Sequence, residues 1–300
     1  MMYSKVLVTG AAGFLATHLC NQLAASCEVY GVDISPNPGI NGIDWKTIED
    51  GSEIPEIAKS WLPDIVVHAA FINRPAPELA ESDYLNEMIN FNLRLMRSVD
   101  SIGAKFVLTS SSAVYGQASD GGVIDESTPV VPVTGYGLAK LLQENLARYT
   151  LGENLTILRL FNLCGPGQKL GMLLPDWVDK VKRYANNSQT PIEVRHMRTS
   201  RDYVDVRDAS RAIISAMSGE FSGQTYNVAS GISVSLREIA AELERLSETM
   251  LKIVEKDTCI SLQDVAGQVG ANQKILESLN WKPVISWKSS LGDLWRAYSG

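Results

Sequence analysis

Apolar runs and helical patterns alternate along the chain from residue 4 to about residue 160. The run Lys5–Thr9 is apolar and β-branched, which is typical of a strand buried on both faces, and the spacing becomes helical over Phe14–Leu23. Three further runs predict strands at 27–32, 64–70 and 104–110. This alternation predicts an α/β fold, with a Rossmann-type doubly wound parallel sheet and helices on both faces.

Longer helical patterns occupy the middle of the chain. Helices are predicted at about 78–102 and from residues 134–136 to about 150, each with one apolar face. Segment 161–167 is punctuated by Gly and Pro and is predicted to be a loop. A helix is predicted at 172–184, where Trp177 either lines a binding pocket or lies in the core.

The break between the first strand and the first helix carries two glycines. Gly10 permits a tight turn, and Gly13 lets a pyrophosphate approach the positive N-terminus of the helix. Asp33 follows Gly10 by roughly 20 residues, the spacing at which an acid meets the adenosine ribose hydroxyls. Because a carboxylate repels a ribose 2′-phosphate and residues 34–43 contain no Arg, NAD is favoured over NADP.

Tyr136 and Lys140 are four positions apart and therefore share one helix face. A phenol has a pKa near ~10, but a neighbouring ammonium stabilises its phenolate. Such a tyrosine can exchange a proton with a sugar hydroxyl while hydride moves at the same carbon, and Ser111 can hold that oxygen. The same spacing is common on solvated helix faces, but its place after the fifth strand of a dinucleotide fold favours the catalytic interpretation.

Composition narrows the class of protein. The chain has 300 residues, 45% of them apolar, which suits one α/β domain and a smaller domain packed against it. A net charge of −7 argues against a nucleic-acid partner, and no apolar run reaches the ~18 residues of a membrane span. The four cysteines and three histidines show no metal-ligand or disulfide spacing. We therefore expect a cytoplasmic protein without a metal or a membrane partner.

Segments spread over nearly the whole chain resemble an extended short-chain dehydrogenase/reductase of the NAD-dependent epimerase/dehydratase type, a family that acts on nucleotide-linked sugars. The segments are TGAAGFLA (9–16), Asp33, PDIVVHAA (63–70), SSSAVYG (110–116), YGLAK (136–140), LRLFNLCGPGQ (158–168), RDYVDVRDASRA (201–212), YNVASG (226–231) and NWKP (280–283).

The resemblance implies roles for single residues. It assigns catalysis to Ser111, Tyr136 and Lys140. The expected substrate contacts are Ser111, Ser112, Asn162 and Arg201, and the alternative for Arg201 is an ion pair with Asp202 or Asp205. The expected cofactor contacts are Gly10, Gly13, Phe14, Leu15, Asp33, Ala69, Ala70, Phe71, Tyr136, Lys140 and Phe161.

The resemblance also implies an organisation. An NAD-binding Rossmann domain is expected at 1–161 with a return segment at about 194–229, and a smaller C-terminal nucleotide-sugar-binding lobe at 162–193 and 230–300. A homodimer is expected to form through the helices at 78–102 and 134–150.

Two positions depart from the family pattern. A second phosphate-binding Arg is absent from 259–264, before Asp264, and either Met88 or Asn90 takes the place of a helix Asn.

The residues after Ser111 limit the reaction. Family members that eliminate water or carbon dioxide carry an acid there, but this chain has Ser112 and Ala113, which disfavours a dehydratase or decarboxylase. Reduction of a 4-keto-6-deoxy sugar on GDP is the favoured reaction, because 161–231 looks most like such reductases. A C4 epimerase that retains NAD is the alternative, and a non-catalytic NAD-binding regulatory protein is a more distant one.

Overall fold

The computed structural model describes residues 5–71, 81–116, 122–187, 191–194, 197, 199–219, 223–256 and 267–298, with side chains for all of these except 81–84 and 186–187. Its strands are β1 (Lys5–Thr9), β2 (Glu28–Asp33), β3 (Asp44–Thr47), β4 (Ile65–His68), β5 (Lys105–Ser111), β6 (Val123–Ile124), β7 (Leu155–Leu160), β8 (Asn162–Cys164), β9 (Ile192–Val194), β10 (Ser200–Arg201), β11 (Tyr203–Asp205), β12 (Thr225–Val228), β13 (Val234–Ser235), β14 (Ile253–Glu255) and β15 (Val269–Gly270). Its helices are α1 (Phe14–Leu23), α2 (Ile54–Trp61), α3 (Glu81–Ser101), α4 (Gly135–Leu151), α5 (Leu173–Asn187), α6 (Val206–Ser218), α7 (Leu236–Ser247), α8 (Gln273–Leu279) and α9 (Trp287–Ala297).

Seven strands form one parallel sheet in the order β12-β7-β5-β4-β1-β2-β3. The order runs outward in both directions from the pair β1 and β4, so the chain changes direction there. In open α/β sheets a ligand binds beyond the carboxyl ends of the strands at such a point. The predicted doubly wound sheet is confirmed, and its architecture locates the site beside Gly10 and Ala69.

Successive residues of the central strands face opposite layers of helices. Val6 and Val8 of β1 pack with α1 and α6 on one face, whereas Leu7 packs with α2, α3 and α4 on the other. The three side chains are fully buried. Burial on both faces explains why β1 is an unbroken apolar run, since a one-sided strand would alternate polar and apolar residues.

A separate hydrophobic cluster lies in the C-terminal part of the chain, where α5, α7 and α9 pack with the short strands β8, β9, β11 and β13. Trp177 is 3% exposed and belongs to this cluster, which decides between its two interpretations in favour of the core. In contrast, α8 and Trp281 pack with the sheet's own core.

The sequence-based bounds hold with small shifts. The strands β1 and β4 and the helix α1 lie where they were predicted, and α3 spans Glu81–Ser101 within the predicted 78–102. The predicted loop at 161–167 is partly wrong, because Asn162–Cys164 pairs in parallel with Tyr203–Asp205. Three residues of extended chain in a Gly- and Pro-rich segment give no local signal for that pairing. Among the described helices, none is long and apolar enough to cross a membrane.

Candidate functional site

The turn after β1 requires glycine at its first position. Gly10 has φ +69°, and a Cβ there would lie 2.7 Å from the backbone of Ala70, which follows β4. The two strand ends therefore approach closely at the centre of the sheet, and only a residue without a side chain fits between them.

The start of α1 and the end of β2 face the same space. Among the described residues no side chain caps α1, and its first turn carries no acid, so its N–H groups and dipole favour an anion. The carboxylate of Asp33 accepts hydrogen bonds from the N–H groups of Ala12 (2.9 Å) and Ser35 (2.8 Å). These contacts hold an acid beside an anion-binding helix end, the arrangement that a dinucleotide needs: diphosphate on the helix and ribose on the acid.

The start of α4 is pressed against the turn that follows β5. Thr134 caps the helix by accepting from the N–H of Gly137 at 3.0 Å, and a Cβ on Gly137 would lie 2.5 Å from the carbonyl oxygen of Ala113. This close approach brings Tyr136 to the end of β5, where Ser111 lies. The Oγ of Ser111 accepts from the N–H of Ala113 at 3.2 Å, which leaves its own hydroxyl proton available to a ligand.

Phe71 contacts both members of the predicted pair on α4. Its ring meets that of Tyr136 edge-on, with 5.1 Å between the ring centroids, and the ammonium of Lys140 lies 4.2 Å from its centroid. Tyr136 is 40% exposed whereas Lys140 is 4% exposed. A phenol open to the cavity with a buried cation behind it is the arrangement that the spacing of four predicts.

Lys140 lies in an environment that disfavours its charge. Its Nζ donates to the carbonyl oxygen of Thr109 (2.9 Å) and to Oε1 of Gln143 (3.2 Å), both of them neutral acceptors. Burial lowers the pKa of Lys140 to about 7, and the carboxylate of Glu144 opposes part of this shift. Glu144 is itself engaged by Arg159, at 3.0 and 2.8 Å, and by the hydroxyl of Ser110 at 2.6 Å.

The far end of the space is bounded by the segments after β7 and around β10. Asn162 is fixed by two hydrogen bonds to the carbonyl oxygen of Asp202, both 3.1 Å, one from its backbone N–H and one from its side chain. Arg201 donates to the carbonyl oxygen of Ser200 at 2.8 Å and lines the cavity. The carboxylates of Asp202 and Asp205, its alternative partners, accept from Ser230 and from Arg207 respectively.

One cavity of about 840 Å³ brings the predicted site residues together. A second cavity, of about 740 Å³, adjoins it beside Gly10, Asp33, Ala70 and Phe71 and extends toward Asp50 and Arg94. The site residues that line the first cavity are Gly10, Gly13, Phe14, Leu15, Asp33, Ala69, Ala70, Phe71, Ser111, Ser112, Tyr136, Lys140, Phe161, Asn162 and Arg201.

Comparison with known proteins agrees with this geometry. The sequence profile of the NAD dependent epimerase/dehydratase family matches residues 6–229, well over half of the chain. The chain belongs to this family. The match confirms the predicted family, enzyme class and cofactor.

Individual proteins similar to this chain differ in their activity or in the ligands bound in their structures. The chain is 27% identical to the GDP-6-deoxy-D-mannose reductase of Pseudomonas aeruginosa, over 97% of this chain and 95% of the relative. The structure of MoeE5 with UDP-glucuronic acid and NAD matches it with a TM-score of 0.83 and 25% identity, over 98% of both chains. The structure of RMD from Pseudomonas aeruginosa with NADPH matches with a TM-score of 0.81 and 26% identity, also over 98% of both.

The departures from the family pattern have different outcomes. The region of Asp264 lies outside the described residues, so the departure expected there, the absence of a second phosphate-binding Arg, stays a prediction. Met88 is buried against Ala139, and Asn90 lies at the exposed edge of the second cavity. The buried asparagine of α3 is Asn92, which sequence reasoning missed although a polar residue within the apolar stripe of a helix is an available signal.

Two further residues were missed. Gln143 is fully buried beside Lys140, three positions along the same helix. Lys169 lines the cavity that contains Arg201, in a segment whose glycines and proline predict only a loop.

Proposed function

We propose that the protein is an NAD-dependent oxidoreductase acting at C4 of a nucleotide-linked hexose, and that it reduces a 4-keto-6-deoxyhexose carried on GDP. The observation that carries the proposal is the presence of Ser111, Tyr136 and Lys140 on the same cavity as the glycine turn and Asp33. The similarity to a GDP-sugar reductase over nearly the full length supports the choice of reduction and of GDP.

Each side chain at the reacting end has a separate role in the reduction of a ketone. When it is bound, NADH supplies the hydride that reduces the C4 carbon. Tyr136 donates its phenolic proton to the C4 oxygen, so that the ketone becomes a hydroxyl group. The ammonium of Lys140 stabilises the resulting phenolate, and the hydroxyl of Ser111 donates to the same C4 oxygen and holds it in line.

The cofactor end supports NAD over NADP. We assign the diphosphate of the cofactor to the Gly10–Gly13 turn and the uncapped start of α1. We assign the adenosine ribose to Asp33, which would accept hydrogen bonds from the ribose hydroxyls. A 2′-phosphate at this carboxylate would bring two anions together. Since the similar RMD structure carries NADPH, the preference for NAD rests on this chain's own Asp33.

The opposite end is assigned to the sugar nucleotide. Asn162 and Lys169 fall in the predicted lobe at 162–193 and 230–300, and Arg201 falls in the predicted return segment at about 194–229. Arg201 offers a planar fork that matches a diphosphate, and Asn162 lies beside it on the cavity wall. Lys169 lines the same end and supplies a second positive charge. We assign it the contact for which the family uses a second arginine.

Epimerisation at C4 is the second candidate, because Asp33 suits a retained NAD and the same three residues serve both reactions. The assay offers purified wild-type protein a GDP-4-keto-6-deoxyhexose with NADH, while absorbance of the reduced cofactor and product are both followed. A reductase consumes one NADH for each alcohol formed. Interconversion of C4 epimers without net NADH loss would replace the proposal by the epimerase. No turnover of any GDP-, UDP- or dTDP-hexose would favour a regulatory NAD-binding protein.

We also propose a homodimer that forms through α3 and α4. Leu85, Ile89 and Leu142 are only half-buried along these helices, and Tyr149 is 87% exposed. Light scattering across micromolar concentrations tests this proposal. A mass equal to one chain at every concentration would remove it.

A further inference from the structure

A row of buried polar side chains runs behind the reacting end of the cavity. From Lys140, Oε1 of Gln143 accepts at 3.2 Å, and Nε2 of Gln143 donates to Oδ1 of Asn92 at 2.7 Å. The same Oδ1 lies 3.0 Å from Nε2 of His68, whose Nδ1 lies 2.7 Å from Oγ1 of Thr9. All five are at most 4% exposed. We call Lys140, Gln143, Asn92, His68 and Thr9 the polar bridge.

The direction of each hydrogen bond in the polar bridge is determined. The amide nitrogen of Asn92 donates to the carbonyl oxygen of Met88 at 2.8 Å, so Oδ1 of Asn92 is an acceptor. His68 must therefore carry its proton on Nε2. Its bare Nδ1 accepts from the hydroxyl of Thr9, whose oxygen in turn accepts from the N–H of Ala70 at 3.3 Å.

The polar bridge joins two strands of the sheet and two helices, and it spans both sides of the switch point. Thr9 ends β1, His68 ends β4, and Asn92 and Gln143 lie on α3 and α4. Beyond Thr9, the far end of the polar bridge, lies Ala70, whose N–H donates to the Thr9 hydroxyl and whose backbone meets Gly10 at the cofactor turn. Hydrogen bonds therefore run from the atoms that hold Lys140 to Ala70, the residue packed against the turn assigned to the diphosphate.

The surroundings of Lys140 show why an amide oxygen matters there. The titratable groups around it are His68 on β4 and Glu144 on α4, with Tyr136 lining the same cavity. The helix α3 and the strand β5 present the amide of Asn92 and the carbonyl of Thr109. Burial and the charge of Lys140 lower the pKa of His68 to about 3, so the imidazole is neutral at physiological pH. Glu144 raises the pKa of Lys140 but is engaged by Arg159, so the acceptors in hydrogen-bond contact with the ammonium are the neutral oxygens of Thr109 and Gln143.

We propose that Gln143 and Asn92 are positioning residues that keep Lys140 charged and aimed at the reacting end. This proposal rests on the proposed function for its link to catalysis. Gln143 supplies an acceptor to the ammonium, and Asn92 holds Gln143 in the one amide orientation that presents an oxygen rather than an NH₂ group to Lys140. Loss of either amide leaves a buried donor or acceptor unpaired.

The test compares Gln143→Met, Gln143→Glu and the matched exposed control Asn145→Met, on the same helix, in the full-length protein. Removal of the amide oxygen destabilises the ammonium, so Gln143→Met should move the pH above which kcat falls downward by about one unit. A carboxylate stabilises the ammonium, so Gln143→Glu should move that pH upward by about one unit. In both Gln143 variants, KM for the sugar nucleotide should stay within about twofold of wild type. In Asn145→Met, kcat should stay within about twofold of wild type at each pH.

A purely structural role would lower kcat or stability without moving the two profiles in opposite directions, and that result overturns the proposal. NADH affinity, measured by fluorescence as a function of pH, provides a readout that needs no turnover. The pH above which NADH binding weakens should move downward in Gln143→Met and upward in Gln143→Glu. If the wild type turns over no sugar nucleotide but NADH binding by the two Gln143 variants still shifts in opposite directions, the proposed function is refuted and the polar bridge is supported.

The ring of His68 provides a second, independent readout. Nitrogen-15 NMR of the substrate-free protein should show the neutral imidazole with its proton on Nε2 from pH 5 to pH 8. A proton on Nδ1, or titration within that range, would overturn the polar bridge whatever the enzyme does.

Discussion

The two ends of the cavity are built in opposite ways. At the reacting end, the polar groups behind Tyr136 are buried and hydrogen-bonded, from Lys140 through to Thr9. At the end proposed to bind the sugar nucleotide, Lys169 is exposed, and Leu170 and Met172 are 52% and 48% exposed. One end is a closed network of matched donors and acceptors, and the other is an open wall of long, flexible side chains.

Under the proposed function, this difference corresponds to a division between chemistry and substrate recognition. A substitution in a closed polar network leaves a buried donor or acceptor without its hydrogen-bond partner. Each such unpaired group costs about 1–3 kcal/mol of stability. An exposed wall can change without that penalty. Similar proteins at nearly equal identity carry a GDP-sugar activity in one case and bound UDP-glucuronic acid in another, which agrees with substrate choice residing at the open end.

The largest expected effect breaks the reacting end. Tyr136→Phe removes the proton donor but keeps the ring that packs on Phe71, so kcat should fall by ~100- to 10,000-fold. The dissociation constant for NADH, measured by fluorescence, should change less than about twofold because Tyr136 is assigned to proton transfer. Lys140→Met should lower kcat and weaken NADH binding, since Lys140 is assigned to the phenolate and is also an expected cofactor contact.

A wild-type kcat in Tyr136→Phe would remove the tyrosine from the mechanism. The melting temperature of each variant provides the control for folding. Ser111→Ala, a smaller change at the same oxygen, should retain more activity than Tyr136→Phe because it removes a hydrogen bond rather than the proton source.

The next effect lies at the open end. Arg201→Met should raise KM for the sugar nucleotide by ~10- to 100-fold, the loss expected for a charge-assisted hydrogen bond of about 1.5–3 kcal/mol. Arg201→Lys should fall between, since it keeps the charge but loses the fork. Initial rates at fixed NADH measure both. An unchanged KM with a lower kcat would mean that Arg201 acts in the chemical step, which would contradict the division between the two ends.

The fold was largely predictable because its signals are local. The apolar run of β1 and the helical spacing of α1 each lie within ten residues, and the structure confirms both. The pairing of β8 with β11 was not predictable, since it joins Asn162 to Tyr203 across 41 positions and depends on where the chain returns.

The candidate site follows the same rule. Tyr136 and Lys140 are neighbours on one helix turn, so their spacing predicted their common face. Asn92 meets Gln143 across 51 positions and His68 across 24, and no periodicity within either helix contains that contact. Polar residues in apolar stripes pointed to a buried role but not to its partner.

A smaller effect is expected at Asp33, where a substitution tests which cofactor the protein prefers. Asp33→Ser removes a charged acceptor for ribose hydroxyls, so NADH should bind about 10-fold more weakly, and the gap to NADPH should narrow. Dissociation constants for both cofactors measure the change. A wild type that binds NADPH as tightly as NADH would mean that the anchored carboxylate does not contact the ribose. Asp44→Ser, at the exposed start of β3, serves as the matched acid control.

The smallest effect comes from Lys169 and tests the open end directly. An exposed ammonium interacts weakly, so Lys169→Met should raise KM for the sugar nucleotide only about threefold at low salt and leave kcat unchanged. Because salt screens exposed charges, the difference from wild type should vanish near 0.5 M NaCl, whereas the larger effect at half-buried Arg201 should persist. Lys180→Met, an exposed lysine of α5 that does not line the cavity, controls for net charge. A salt-independent effect at Lys169 would show that the cation becomes buried with the substrate, so that this end closes as tightly as the reacting end.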